Sequence, residues 1–172
     1  MKKSSKVQNC VTTNNELILN LLPGYSIHQG STLDKALLVK FIQQSYQEQF
    51  PQQDFSHLAR TVEQYFYRDT PVWWVYPEEI LHHTPIACLW VGNAIDQVSG
   101  DRHPHIFLLH VIPEYRRQGI GKALMQYLEN WAKQRGYNQI GLQVFLSNTP
   151  ALNLYHQLGY QEQSLWMIKS LH

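Results

Sequence analysis

Between an extended apolar run that ends at Ile112 and an amphipathic run that begins near Gly119 lies Pro113-Glu114-Tyr115-Arg116-Arg117-Gln118-Gly119-Ile120-Gly121. A glycine-rich turn leading from strand to helix leaves the first N–H groups of the helix unpaired at the positive end of its dipole, and glycine lets an anion come close. Arg116 and Arg117 add charge beside that nest, with forked donors that suit phosphate oxygens. The chemistry on offer is therefore pyrophosphate binding. Its bland counterpart is a solvated loop whose glycines serve only the chain path. A dinucleotide-binding turn would place a third glycine where Leu124 stands, and a phosphate loop would end in Gly-Lys-Ser/Thr, whereas Gly121 and Lys122 lead into Ala123.

Other chemistry-bearing residues are grouped less tightly. His103 and His105 stand two apart with Asp101 close by, a spacing that points two imidazoles the same way along a strand. Zinc needs further ligands at ~2.0–2.2 Å and no paired cysteines accompany them, so no metal is expected. His82 and His83 would point apart in a strand and are given no role. Trp73, Trp74, Tyr76 and Trp90, preceded by Tyr46, Phe50, Tyr65 and Tyr67, either line a pocket or fill the core, and core is the commoner fate of such residues.

These groups need elements to hold them. After Pro23 and Gly24, residues 25–28 read as a short strand, and Ser31 or Thr32 caps a helix striped by Leu33, Ala36, Leu37, Phe41 and Tyr46. Pro51 ends it, and Leu58, Val62, Tyr65 and Phe66 mark a second helix over residues 56–68. The runs 72–76, 86–94 and 105–112 read as strands, parted by Pro77, Pro85 and the turn-rich stretch 96–104. The period then changes from two to 3.6: Ile120, Ala123, Leu124, Tyr127, Leu128, Trp131 and Ala132 share one helical stripe, closed by Gly136. Residues 140–146 predict another strand, 150–158 a short helix begun by Asn148 or Thr149 and ended by Gly159, and 160–169 one or two last strands.

The spacing Arg116, Gly119, Gly121 resembles the signature of the GNAT superfamily of acyl-CoA-dependent N-acetyltransferases: Arg or Gln, two residues, Gly, one residue, then Gly or Ala. The likeness continues upstream in Leu109, His110, Val111, Ile112 and Pro113 and downstream in Asn148, Ala151, Tyr155, Leu158, Gly159 and Tyr160, so that it covers residues 105–160. It implies an α+β fold, a central, mostly antiparallel twisted sheet of six to seven strands flanked by about four helices. It implies acetyl-CoA as acyl donor, its pyrophosphate held by backbone groups of Arg116, Arg117, Gln118, Gly119, Ile120, Gly121 and Lys122. The strand at Leu109 and Val111 would pair with the pantetheine arm, Asn148 would touch the cofactor or simply cap its helix, and a bulge in that strand would turn a free N–H toward the thioester. By the same resemblance Tyr155 is the acid that protonates the departing thiolate; otherwise it is a core tyrosine beside Leu154 and Leu158.

Acyl transfer to an amine also needs a base, directly or through water. Many members of the family carry an acid on the strand before the loop, where this chain has Phe107, Leu108 and Leu109. His110 is the nearest titratable side chain, with a reference pKa of about 6.5, and a histidine satisfied on a sheet face is the equal alternative. Glu48, Asp54 and Glu79 are water-linked candidates. The expected reaction is direct transfer to the amine of a small molecule or peptide in a ternary complex, with no covalent intermediate, since neither cysteine belongs to the motif. A non-catalytic acyl-CoA-binding module is the reading from another class.

Composition sets the surroundings. With 172 residues, 44% hydrophobic, and a formal net charge of +1, the chain reads as one domain over residues 23–172 behind a polar tail 1–22. Lys and Arg are scattered, which is no footprint for nucleic acid, and the apolar run 17–22, broken by Asn20, is too short for a signal or membrane span. Cys10 and Cys88 read as two reduced thiols in cytoplasm. The resemblance also leaves open a homodimer formed through the last strands.

Overall fold

The structure, a computed structural model, describes residues 22–78 and 84–171. Cys10, Glu79, His82, His83 and all of the tail before Leu22 lie outside the described residues. Five strands stand side by side in chain order: β1 (Tyr25–Gln29), β2 (Val72–Pro77), β3 (Ala87–Ile95), β4 (Arg102–Val111) and β5 (Gly141–Leu142). The first three pairings are antiparallel and β4 pairs with β5 in parallel. Four helices flank them: α1 (Lys35–Gln49), α2 (Leu58–Tyr65), α3 (Ile120–Gln134) and α4 (Thr149–Gln157). The architecture is the α+β one expected, with five strands among the described residues in place of six to seven.

Side chains alternate across β2 and β3 and feed two apolar layers. Trp73, Val75, Ala87, Leu89 and Val91 meet Ile120, Ala123, Leu124 and Leu128 of α3. Val72, Trp74, Cys88 and Trp90 meet Leu38, Phe41 and Ile42 of α1 and Leu58 and Val62 of α2. Both faces of the sheet are thus covered, which is why β2 and β3 read as nearly continuous apolar runs. Burying each such large side chain contributes about 1.5–3 kcal/mol. Trp73, Trp74 and Trp90 are all core residues.

β4 breaks the alternation at one place. Trp90 pairs with Leu108 but the next residue, Val91, pairs with Ile106, so Phe107 is an extra residue in β4. Such a bulge shifts every side chain beyond it to the opposite face. Ile106 lies in the α3 layer, whereas Leu108 lies in the α1 layer and His110 meets the Phe41 ring of α1 edge-on at 5.8 Å. Leu109 and Val111 pack toward α3. The bulge expected in this strand therefore sits at Phe107, just upstream of Leu109 and Val111. Its ring is accommodated by Gly92, where a Cβ would stand 2.1 Å from Cε2 of Phe107.

Two other expectations are corrected. The strand over 140–146 is reduced to Gly141–Leu142, because Phe145 turns away to pack on Tyr46 and Phe50 at 5.9 and 5.1 Å. The last strands over 160–169 are absent: Leu165, Trp166, Met167 and Ile168 are exposed, four apolar residues in a row rather than an alternating set. A two-residue β5 offers them almost no edge to pair with.

Replacing Gly92 by Ala forces a methyl against the Phe107 ring and should cost about 1–3 kcal/mol. Urea unfolding of the variant checks this, and unchanged stability would show that the bulge does not depend on Gly92.

Candidate active site

The loop after β4 opens with a single 3-10 turn, Pro113–Tyr115, and reaches α3 through two left-handed residues, Arg117 at φ 63 and Gly119 at φ 84. Gly119 is the N-cap of α3, and no side chain caps that end. The first-turn N–H groups of Ile120, Gly121 and Lys122 therefore point out of a fifteen-residue helix into a concave backbone nest. A Cβ at Gly119 would meet nothing within 4 Å, and one at Gly121 only Cδ2 of Leu154 at 3.4 Å. Open approach, uncapped amides and a helix dipole are what a pyrophosphate requires, so the residues present fit the phosphate end of a CoA thioester.

The loop is pinned from three sides. The Tyr25 hydroxyl of β1 donates to Oε1 of Gln118 at 2.6 Å, and the Tyr25 and Tyr115 rings meet edge-on at 6.4 Å. Arg116 turns inward: its Nε donates to the carbonyl of Val111 at 2.8 Å and its Nη2 to Oε2 of Glu48 at 2.5 Å. Arg117 is a non-glycine residue in left-handed backbone, a strained conformation found often at binding sites.

His110 is 4% exposed, and its Nε2 is buried without a hydrogen-bond partner. Oε1 of Glu48 stands 3.8 Å from that nitrogen, beyond hydrogen-bond length. Burial lowers the His110 pKa below its ordinary value, Glu48 opposes that shift, and Arg116 adds to it. The ring is therefore neutral at physiological pH, with a nitrogen free to take a proton. Beyond Ile106, β4 pairs with no strand on its β5 side among the described residues, so Leu109 and Val111 lie past the point where the two strands part.

α4 supplies the remaining group. Oδ1 of Asn148 accepts from Ala151 N at 3.3 Å and Pro150 occupies the first turn, which fixes where α4 starts and hence where Tyr155 points. Tyr155 is buried in the α3 layer, and burial pushes its phenol up to about 12. Its ring lies 5.8 Å from that of Tyr160, whose buried hydroxyl has no partner and whose pKa is driven up by burial, Glu129 and Tyr155. His110 and Tyr155 thus stand on opposite faces of the sheet, with the parting of β4 and β5 between the elements that carry them. Asp54 is fully exposed and held by Ser56, away from these groups. The rings of His103 and His105 are seated against Gly141 of β5, where the missing Cβ makes room.

Phe145 drew no notice in the sequence. It is 43% exposed and forms an aromatic wall with Tyr46 and Phe50 at the C-terminal end of α1. Only its place one residue before the Leu146-Ser147 turn could have flagged it. Glu48 was one of three acids on equal terms, and nothing in a 68-residue separation from Arg116 singles it out.

A model of the Acetyltransferase (GNAT) family matches residues 39–160. The [Ribosomal protein bS18]-alanine N-acetyltransferase of Escherichia coli K12 is 39% identical over 72 residues, which are 42% of this chain and 48% of that protein. The chain thus spans about half the length of that curated relative. An aminoglycoside acetyltransferase from an uncultured soil metagenomic sample, solved in complex with sisomicin, superposes with a TM-score of 0.65 at 18% identity, covering 87% of this chain and 97% of that one. A structure from Clostridium acetobutylicum, described as a predicted acetyltransferase with acetyl-CoA, gives 0.66 at 18% identity over 86% and 96%. The two structures share the fold.

The two loop glycines should respond differently to alanine. At Gly119 the left-handed backbone costs an alanine about 1–2 kcal/mol, whereas at Gly121 the added methyl meets only the flexible end of Leu154 and should be nearly neutral. Thermal melts of the two variants check the contrast, and equal losses would refute it.

Proposed function

Because the chain belongs to the GNAT acetyltransferase family, we propose that it moves the acetyl group of acetyl-CoA to a primary amine by direct attack in a ternary complex, with His110 as base and Tyr155 as acid. The observation that carries this reading is the buried His110, its Nε2 unpartnered, nine residues before Gly119, the uncapped N-terminus that fits a pyrophosphate. Family membership takes the place of the non-catalytic alternative.

Acetyl-CoA supplies an activated acetyl thioester. In this reading the backbone amides of residues 116–122 hold its phosphates, and the free edge at Leu109 and Val111 takes its arm. His110 accepts the proton that the amine gives up as its nitrogen bonds to the acetyl carbon. The carbon–sulfur bond breaks, and Tyr155 meets the leaving sulfur. A phenol at about 12 facing a thiol near 8.5 is a mismatch of roughly 3.5 pKa units, or about 5 kcal/mol, against full proton transfer ahead of bond cleavage. Tyr155 therefore acts by hydrogen bonding first and gives its proton as the sulfur departs.

The acceptor is an amine on a small molecule or a peptide. The relatives support both kinds, one named for a ribosomal-protein alanine and one solved with sisomicin. The aromatic wall of Tyr46, Phe50 and Phe145 favours an amine with an apolar neighbour. Cys88, a free buried thiol, agrees with a cytoplasmic setting, and no helix among the described residues is long and apolar enough to cross a membrane.

Two measurements test the reading. Tyr155→Phe should lower kcat about 10²-fold while leaving CoA affinity within about threefold, and an unchanged kcat removes Tyr155 from the chemistry. The pH profile of kcat at saturating amine, which is free of the unbound amine's own titration, should fall only on the acid side, below the ordinary histidine value of about 6.5, because burial depresses His110 and only its neutral form accepts a proton. Tyr155 adds no alkaline fall until about 12. An acid limb that persists in His110→Gln would show that another group is the base.

A further inference from the structure

Arg116 belongs to the cofactor loop, yet both of its mapped bonds point away from the nest, to the Val111 carbonyl and to Glu48. Glu48 in turn places its second oxygen over the one buried nitrogen of His110 that has no partner, at a separation too long for a hydrogen bond. One carboxylate is therefore divided between two cations' positions, and the arginine holds the larger share. Glu48 and Arg116 are 35% and 42% exposed, so an incoming anion can reach the pair, whereas His110 is 4% exposed.

Building on the reading of this loop as a phosphate site, we propose that Glu48 is a positioning residue shared by the two halves of the site: Arg116 holds its carboxylate in the free protein, and a phosphate on the loop competes for Arg116 and leaves the carboxylate to His110. A guanidinium already neutralised by phosphate oxygens attracts a carboxylate less, since both anions compete for the same donors. The charged and titratable groups around the His110 ring are few. Glu48 comes from α1 and Arg116 from the loop; Cys88 lies opposite on β3 and is kept protonated by burial, and Phe41 of α1 presents only a ring edge. A carboxylate freed from Arg116 favours the protonated imidazole, and so makes His110 a stronger base. The acceptor amine would then lose its proton readily only when the donor is seated, which keeps the base weak while there is no thioester to attack.

NMR titration of the His110 ring tests this without turnover. CoA, used as the probe, should raise the His110 pKa by about 0.5 or more, a roughly threefold change in its protonation equilibrium. Glu48→Gln should lower that pKa in the free protein and abolish the rise on adding CoA. Arg116→Met should raise it in the free protein and leave CoA little to add. Thermal melts establish that both variants fold, and either one suffices. CoA binding, seen by calorimetry, with an unmoved or lowered His110 pKa overturns this proposal and leaves the assigned function standing. Absence of CoA binding overturns both. A wild-type His110 titration in both variants shows that the carboxylate and guanidinium do not act on the ring.

Discussion

Between Leu109 and Ile106, β4 carries one residue more than the strand it pairs with, and the insertion of Phe107 decides which side chains face which helix. Without it, Ile106, Leu108 and His110 would share one face. With it, Ile106 stays in the α3 layer while Leu108 and His110 turn under α1, where Glu48 waits. Leu109 and Val111 swing the other way and pack toward α3. The candidate site depends on this half-turn, which sets His110 beside Glu48 rather than among Leu124 and Leu128. Gly92 allows it by leaving the space that the Phe107 ring fills, and Trp90 supports the ring from below at 4.7 Å.

From that bulge the chain needs only a dozen residues to build both halves of the chemistry. β4 delivers His110, then the Pro113–Tyr115 turn and the two left-handed residues swing the backbone so that α3 begins with its amides exposed. An uncapped N-terminus leaves orphan donors, which an ordinary helix would satisfy with a Ser, Thr, Asp or Asn. α4 shows the ordinary solution, with Asn148 closing its first turn. Pinning by Tyr25 and Arg116 keeps the nest shaped while its donors wait.

Local signals were legible and long-range ones were not. The 3.6-residue stripe of α3, the left-handed Gly136 and Gly159 and the Asn148 cap all follow from neighbours in sequence, and all stand where they were expected. The bulge was expected in this strand without a position, because burial in β4 alternates without interruption from His103 to Val111 and so carries no mark of the extra residue. Only the register against β3 reveals it. Likewise the expected strand over 140–146 has good β-formers, and its loss depends on Phe145 finding Tyr46 and Phe50, about a hundred residues away. Tyr155 was read as an acid, and burial makes its phenol a weaker one than the reference value suggested.

α1 explains why the cofactor half of such a chain is easier to read than the acceptor half. Its last turns carry Glu48 on one flank, toward β4, and Tyr46 on the other, toward Phe145 beyond β5, since residues two apart on a helix point in nearly opposite directions. A single helix end thereby spans the parting of the two strands and sets both the electrostatics at His110 and the apolar wall. None of its residues needs the fixed spacing that a backbone nest imposes. A phosphate held by main-chain amides constrains glycines and turn geometry, which leave a pattern in sequence. A carboxylate and three rings that meet only through the fold leave none, so this part of the candidate site can change by substitutions on α1 and after β5 while the loop stays the same.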